Sequence, residues 1–168
     1  MNHAQAEKLY EKAAEYADLT GSETVLDLYC GAGTIGLYLA SAAKSVIGVE
    51  VIPEAVADAR ENARINGIEN AAFICADAER AAEKILSEGV RPDVIILDPP
   101  RKGCPPELLE AAAKLAPGRI VYVSCDPATL ARDCAIMLEK GYEVTKLCPV
   151  DMFPRTAHVE CVALLSKT

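Results

Sequence analysis

The stretch VLDLYCGAGTIGL, Val25 to Leu37, decides the fold. A short apolar run leads into Gly31, Gly33 and Gly36, which are spaced as G-x-G-x-x-G, and a second apolar run follows them. Glycines at this spacing let the backbone turn tightly out of a strand and approach a ligand before a helix begins. The stretch therefore predicts a β-strand, a glycine-rich loop that binds a cofactor, and an α-helix.

Apolar runs of strand length recur along the chain, and stretches with helical periodicity separate them. The runs are TVLDLY (24–29), SVIGVE (45–50), AAFICA (71–76), DVIILD (93–98) and RIVYVS (119–124). The intervening stretches PEAVADARENARIN, PPELLEAAAKL and PATLARDCAIMLEK open with proline, as helices often do. Such alternation is typical of an α/β domain whose parallel sheet is covered on both faces. GYEVTKLCPV and HVECVALLSK follow each other without a helix, which predicts a final antiparallel hairpin at the sheet edge.

The N-terminal segment also predicts a helix, because several apolar residues share one helical face: Ala6, Leu9, Tyr10, Ala13 and Ala17. The whole chain of 168 residues is long enough for one domain, and 51% hydrophobic with 25% charged residues is a globular composition. The chain has neither an apolar run near the ~18 residues of a membrane span nor a signal peptide. A cytoplasmic protein without a membrane partner is expected.

Seven cysteines are present, none of them in a C-x-x-C pair, so no zinc or iron–sulfur site is expected in this chain. Most of them are expected to be small buried apolar residues. The formal net charge of -8 argues against a large phosphate-binding surface.

The ligand of an open α/β sheet lies beyond the carboxyl ends of the strands, where this chain places acidic residues. Glu50 ends the second strand and could hold two ribose hydroxyls, while Asp77 follows the third strand and Asp98 the fourth. Asp27, just ahead of the glycines, could bind a cationic amino-acid group and would repel a pyrophosphate. These carboxylates favour S-adenosylmethionine over a dinucleotide, with a dinucleotide-dependent oxidoreductase as the alternative.

The stretch YVSCDPATLARD, residues 122–133, brings a thiol to the point where a buried strand gives way to a helix. Asp126 is expected to cap that helix, which begins at Pro127. The positive end of the helix dipole then points toward Cys125 and favours its thiolate, while the charge of Asp126 opposes it. This arrangement is typical of a nucleophilic cysteine.

In these segments taken together, the chain resembles the catalytic domain of the RNA uracil-5-methyltransferases, which form 5-methyluridine in tRNA or rRNA. The resemblance rests on five stretches between Leu26 and Glu160: LDLYCGAGTIGL, GVE, DPPRKG, YVSCDPATLARD and DMFPRTAHVE. It implies a Rossmann-like class I S-adenosylmethionine-dependent methyltransferase fold, with a mostly parallel seven-stranded sheet and a C-terminal antiparallel hairpin. It implies S-adenosylmethionine as the cofactor, RNA as the substrate and no metal.

The resemblance also implies roles for individual residues. Cys125 is the expected nucleophile, which adds to carbon 6 of the uracil, and Glu160 is the expected general base. The expected cofactor contacts are Tyr29, Gly31, Gly33, Thr34, Glu50, Asp77 and Asp98. Residues that could meet RNA around the cleft are Arg101, Lys102, Arg132, Arg155 and His158, of which His158 could instead assist the base.

The sequence departs from the family pattern at its start. The family opens this domain with a phenylalanine- and glutamine-containing segment that is not present here, and many members carry a small β-barrel RNA-binding domain upstream. We therefore expect residues 1–168 to be a single catalytic domain whose RNA is gripped largely by an upstream domain.

Three other functions fit the sequence less well. An adenine-N6 methyltransferase would have an aromatic residue where Arg101 stands. A cytosine-5 RNA methyltransferase also uses cysteine but fits the HVE segment less well. A non-catalytic cofactor-binding scaffold would not need both Cys125 and Glu160.

Overall fold

A seven-stranded sheet forms the centre of the structure, a computed structural model that describes residues 3–151 and 159–168. The strands are β1 Thr24–Leu28, β2 Ser45–Glu50, β3 Ala71–Cys75, β4 Val94–Leu97, β5 Arg119–Ser124, β6 Tyr142–Val150 and β7 Glu160–Lys167. Their order is β3-β2-β1-β4-β5-β7-β6. β1 to β5 are parallel, and β7 is antiparallel to both β5 and β6. The predicted mostly parallel sheet with an antiparallel hairpin is confirmed.

Six helices connect and cover the strands in the described part of the chain. They are α1 His3–Ala17, α2 Thr34–Leu39, α3 Pro53–Ile65, α4 Ala78–Ser87, α5 Pro106–Leu115 and α6 Pro127–Glu139. α3, α5 and α6 each have proline in the first turn, where the missing N–H breaks no helical hydrogen bond. The helices predicted from proline and periodicity are confirmed to within one or two residues.

Each face of the sheet is buried beneath three helices. Residues of α4, α5 and α6 pack with Leu26 and Leu28 of β1, whereas residues of α1 and α2 pack with Val25. α3 packs on the face of α1 and α2, against Cys30 and Phe73. Alternate side chains of a strand point to opposite faces, so Asp27 shares the face of Val25. This places a carboxylate beneath α2.

The buried face of α1 differs from the prediction at one position. Ala6, Leu9, Ala13 and Ala17 are buried as expected, and the buried aromatic residue of the helix is Tyr16. Tyr10 is only partly buried, because it lies at the border between the core and the ligand-binding edge.

The described residues include no helix that is long and apolar enough to cross a bilayer. All seven cysteines are free thiols. Four of them are buried, which confirms the prediction for most: Cys30, Cys104, Cys134 and Cys161. Cys75 is exposed, and Cys125 and Cys148 are partly exposed.

Candidate active site

The carboxyl ends of the parallel strands bring the predicted site residues to one edge of the sheet. Leu28 of β1 pairs in register with Val49 on one side and with Leu97 on the other. The residues that follow these three positions are Tyr29, Glu50 and Asp98. They therefore emerge side by side, as predicted from the order of strands and motifs.

Cys125 and Glu160 face each other across the end of the β5–β7 ladder. The last pair of that ladder joins Ser124 to Cys161, so the next residues along the two antiparallel strands are Cys125 and Glu160. Opposite residues of an antiparallel pair have Cβ atoms about 4.5–5.5 Å apart. Both residues are partly exposed. A thiol and a carboxyl group thus share one opening.

Charges around the thiol act in opposite directions. Burial, followed by the negative charge of Glu160, raises the pKa of the Cys125 thiol. The positive charge of the nearby Arg101 guanidinium opposes this shift. Burial raises the pKa of Glu160 as well, and Arg101 again opposes the shift. Arg101 is therefore the cation that favours the charged forms of both groups.

Asp98 lies on the same side of the sheet, beside Glu160. Crowding by the surrounding protein, followed by the charge of Glu160, raises the pKa of Asp98. The side chain nevertheless remains exposed to solvent, so we expect a smaller shift than for a fully enclosed carboxyl group. Two neighbouring carboxyl groups with raised pKa values hold their protons more strongly than carboxyl groups in water.

The turn between β5 and α6 fixes the thiol at the start of the helix. The N–H groups of Ala128 and Thr129 donate to Oδ1 of Asp126 at 2.8 and 3.2 Å, which confirms Asp126 as the helix cap. The hydroxyl of Ser124 donates to the carbonyl of Asp126 at 3.0 Å. Because the helix N–H groups engage the carboxylate of Asp126, the carboxylate that raises the thiol pKa is that of Glu160.

The glycine loop is held against Glu50. The N–H of Gly31 donates to Oε2 of Glu50 at 3.0 Å, and the N–H of Ile52 donates to Oε1 at 2.9 Å. Gly31 has φ +53, and a Cβ atom at this position would have no heavy atom within 4 Å. The loop therefore borders open space beside a fixed carboxylate, as a ribose-binding site requires. Gly33, also predicted as a contact, is buried as the residue before α2.

Asp27 has an acceptor without a partner. Its side chain is 1% exposed, and Oδ2 accepts the N–H of Gly36 at 3.0 Å. Oδ1 has no hydrogen-bond partner within the described residues. Burial, with the charge of Asp98 second, raises the pKa of Asp27 to about 8. A buried orphan acceptor behind the glycine loop fits the cationic amino-acid end of S-adenosylmethionine better than it fits a pyrophosphate.

The remaining predicted contacts surround this loop. Thr34 is the exposed first residue of α2. Tyr29 turns the chain out of β1 with φ +68, a strained value for a residue with a side chain. Asp77 is exposed and caps α4, since its Oδ1 accepts the N–H groups of Glu79 and Arg80 at 3.1 and 3.2 Å. Part of the carboxylate of Asp77 is therefore used by the fold.

Two residues have roles that the sequence pattern did not predict. Tyr10 of α1, predicted as a core residue, has a hydroxyl close enough to Asp98 and Thr34 to be affected by both. Arg132, which could meet RNA, also donates to the carbonyls of Lys102 and Cys104 and to Asp133. The apolar spacing that predicts a helical face carries no information about such polar contacts. Arg155 and His158 lie outside the described residues.

Neither a metal-binding cluster nor a surface hollow marks this edge of the sheet in the described residues. In residues 3–151 and 159–168, no group of three His, Cys, Asp or Glu side chains could hold a metal ion. A surface hollow of about 610 Å³ lies between α3 and β3, near Arg60 and Phe73, and contains none of the predicted site residues. We place the candidate site by its chemistry, at the Cys125–Glu160 edge.

Known proteins share both the sequence and the fold. The sequence pattern of the family described as tRNA (Uracil-5-)-methyltransferase matches residues 1–168. The chain belongs to this family. An uncharacterized RNA methyltransferase of Clostridium acetobutylicum is 53% identical over 167 residues, and one of Halalkalibacterium halodurans is 54% identical over 165 residues. These matches cover 99% and 98% of this chain but 36% of each relative, so the chain spans about a third of their length.

Solved structures give the same family and fold. The tRNA (uracil-54, C5)-methyltransferase of Pyrococcus abyssi, in complex with S-adenosyl-L-homocysteine, has 38% identity and a TM-score of 0.81. The match covers 96% of this chain and 38% of the Pyrococcus chain. A precorrin-6y C5,15-methyltransferase of Geobacter metallireducens has a TM-score of 0.79 at 15% identity, covering 96% of this chain and 88% of its own, and shows the fold alone. The predicted class I methyltransferase fold and the family resemblance are confirmed.

Proposed function

We propose that this uracil-5-methyltransferase family member methylates carbon 5 of a uridine in RNA, with S-adenosylmethionine as methyl donor, Cys125 as nucleophile and Glu160 as general base. The observation that carries the proposal is the pair of Cys125 and Glu160 at the end of the β5–β7 ladder. The pair lies at the same sheet edge as the glycine loop, so that a base bound over it would meet the cofactor.

The cofactor site is proposed from the residues around the glycine loop. Glu50 would bind the ribose hydroxyls, and Asp27 would accept from the cationic amino-acid group. Further contacts are assigned to Tyr29, Gly31, Gly33, Thr34, Asp77 and Asp98. Bound S-adenosylmethionine supplies an electrophilic methyl group on a positively charged sulfur. An open Gly31 and the orphan Oδ1 of Asp27 support this assignment.

Cys125 activates carbon 5 of the uracil for methylation. Carbon 5 of uracil is too weak a nucleophile to accept a methyl group unaided. Addition of the Cys125 thiolate to carbon 6 forms an S–C bond and moves the electron pair of the C5–C6 double bond into an enolate. Carbon 5 then becomes nucleophilic and would form the new C–CH₃ bond as the bond between the methyl group and the donor sulfur breaks, with S-adenosylhomocysteine as the leaving group. Arg101 and the first turn of α6 favour the thiolate that this step needs.

Glu160 completes the reaction. After methylation, carbon 5 carries both the methyl group and its original proton. Glu160 removes that proton, the C5–C6 double bond forms again and the S–C6 bond breaks, which returns Cys125 as a thiolate. Because burial raises the pKa of Glu160, its carboxylate is a stronger base than one in water. The position of Glu160 opposite Cys125 suits removal of a proton from the carbon next to the S–C bond.

The substrate is proposed to be a uridine of tRNA or rRNA that is flipped out of its stack to reach the cleft. The Pyrococcus abyssi protein acts, by its description, on uracil 54 of tRNA. Because the chain spans about a third of its curated relatives, we assign most of the RNA grip to an upstream domain and treat residues 1–168 as the catalytic domain. A cytoplasmic location follows from an RNA substrate of this kind.

Two alternatives make different predictions. A dinucleotide-dependent oxidoreductase would give Cys125 no role, and the family match over the whole chain disfavours it. A non-catalytic S-adenosylmethionine-binding scaffold would keep the glycine loop but would form no covalent bond to RNA.

The test uses the full-length protein with S-adenosylmethionine and cellular RNA that contains 5-fluorouracil. Fluorine at carbon 5 cannot be removed as a proton, so the wild type should form a protein–RNA adduct that resists denaturation. Cys125→Ala should form none. Glu160→Gln should form an adduct even with ordinary RNA, because elimination stops. If wild-type protein that binds S-adenosylhomocysteine and RNA gives no adduct, the covalent mechanism is wrong.

A further inference from the structure

The loop after β4 is bound to α6 through its backbone. We call residues 98–104, which carry Asp98 and Arg101, the Arg101 loop. The hydroxyl of Thr129 donates to the carbonyl of Arg101 at 3.1 Å. Nη2 of Arg132 donates to the carbonyls of Lys102 and Cys104 at 2.9 and 3.3 Å. Three successive contacts therefore connect the loop to one helix.

Asp133 completes this attachment from inside the protein. Its side chain is 0% exposed, and its Oδ2 accepts the N–H of Cys104 at 2.7 Å and the hydroxyl of Tyr122 on β5. Its Oδ1 accepts Nε of Arg132 at 2.8 Å. A buried carboxylate is costly unless it is paired and hydrogen-bonded, and both oxygens of Asp133 are engaged. The Arg132–Asp133 pair thus joins β5, α6 and the Arg101 loop.

Gly103 shows how closely the loop approaches this pair. It has φ +74, and a Cβ atom at this position would lie 2.6 Å from Nη2 of Arg132 and 2.6 Å from Oδ2 of Asp133. Both distances are far below van der Waals contact. The loop backbone therefore lies directly on the ion pair, without space for a side chain, and its position follows that of the pair.

The same helix begins directly after the thiol. α6 starts at Pro127, two residues beyond Cys125, and Thr129, Arg132 and Asp133 share one face of its first two turns. The Arg101 loop and Cys125 are therefore fixed to one rigid element. We propose that Arg132 and Asp133 are positioning residues, which hold the Arg101 loop so that Arg101 stays beside the Cys125 thiol. This inference rests on the proposed role of Cys125.

The charges that act on the thiol make the inference measurable. They come from Arg101 of the loop and Glu160 of β7, whereas the neighbouring carboxylate of Asp126 at the start of α6 accepts the N–H groups of Ala128 and Thr129. Arg101 is the cation that lowers the pKa of Cys125, whereas Glu160 raises it. A displaced Arg101 should therefore raise the pKa of the thiol. A purely structural role for Arg132 would lower stability and leave that pKa unchanged.

The experiment measures the rate of alkylation of Cys125 by iodoacetamide against pH in the full-length protein. Mass spectrometry of the Cys125 peptide separates it from the other cysteines. We expect Arg132→Ala to slow alkylation at pH 7 about three- to tenfold, through a smaller thiolate fraction. Arg132→Lys should slow it less, because the ammonium keeps a positive charge beside Asp133. It should not match wild type, because it lacks the planar fork that contacts two carbonyls and a carboxylate. Arg64→Ala is the control, since Arg64 is an exposed residue that pairs with Glu61 of its own helix α3.

A double-variant cycle tests whether the effect passes through Arg101. In an Arg101→Gln background, Arg132→Ala should cause no further shift of the alkylation profile. A shift that persists in that background, or an Arg132→Ala profile equal to wild type, overturns the inference. If Arg132→Ala does not fold, Arg132→Lys and Thr129→Val give the same comparison. A wild-type 5-fluorouracil adduct together with unshifted Arg132 profiles refutes only this inference, and shifted profiles without an adduct refute only the proposed function.

Discussion

Asp27 is an ionisable residue in an environment that suits apolar side chains. It lies in the middle of an apolar strand, 1% exposed, with one oxygen bound to Gly36 and the other without a partner in the described residues. Its pKa is raised to about 8, above the ordinary value of 3.8. The folded protein therefore holds a proton that the unfolded chain releases above pH ~4.

The stability of the protein should depend on pH through this proton. The contribution of protonated Asp27 is complete below the unfolded pKa and is lost as pH rises through about 8. Asp27→Asn keeps an acceptor for Gly36 and cannot ionise. Relative to wild type, we expect the variant to gain about 2–4 kcal/mol of stability between pH 5 and pH 9, because wild-type Asp27 loses its bound proton over this range and the amide cannot ionise.

Circular dichroism melts from pH 5 to 9 measure this difference. Asp58→Asn, which removes an exposed carboxylate from α3, is the matched control and should change little with pH. An Asp27→Asn profile parallel to that of wild type across the whole range would contradict the prediction.

At the scale of secondary-structure elements, strand β7 connects the hydrophobic core to the proposed active site. It lies between β5 and β6, and its residues Val162, Ala163 and Leu165 are fully buried. Its first residue is Glu160. The position of the proposed base therefore depends on packing several residues away from it.

Shortening a core side chain of β7 should be costly. Leu165→Ala should lower the free energy of unfolding by about 2–5 kcal/mol, because it removes buried methyl groups and leaves a cavity. Leu147→Ala, at a position 59% exposed on β6, should change it by less than about 0.5 kcal/mol. Urea denaturation followed by circular dichroism measures both. Equal effects would show that β7 is not the packed centre of the hairpin.

Local patterns predicted the elements and much of the site edge. Apolar runs predict the strands and prolines predict the starts of helices, because burial and the missing N–H of proline act within a few residues. The hairpin was predicted, but its insertion with β7 next to β5 depends on pairing between distant segments. Cys125 and Glu160 lie opposite each other because of that register. The apolar period of α6 likewise could not reveal that Asp133 is buried and bound to Cys104 and Tyr122.

At the scale of the whole molecule, the net charge and the length of the chain both indicate that most RNA contacts lie outside residues 1–168. The chain carries a formal net charge of -8 and spans 36% of its curated relatives. An acidic domain repels a phosphate backbone except at local cationic sites. We therefore expect the region outside residues 1–168 to supply most phosphate contacts.

RNA affinity should differ between residues 1–168 and the full-length protein. In fluorescence anisotropy with a short uridine-containing stem-loop, residues 1–168 should bind more weakly than the full-length protein between 50 and 200 mM salt. The slope of log K against log salt should also be shallower for residues 1–168, because each lost phosphate contact reduces it by about 0.7–0.9. Equal slopes would mean that the cationic contacts lie inside residues 1–168.

The strand order also has a consequence for how the protein is made. In the described sheet β6 pairs with β7 alone, yet the ribosome releases β6 first. During synthesis, β6 therefore emerges before its partner, and the sheet is completed when β7 takes its place between β5 and β6. Glycine loop, thiol and Arg101 loop can all fold before that moment. The cofactor-binding part of the nascent domain can thus fold early, whereas Glu160, the proposed proton acceptor, is added last.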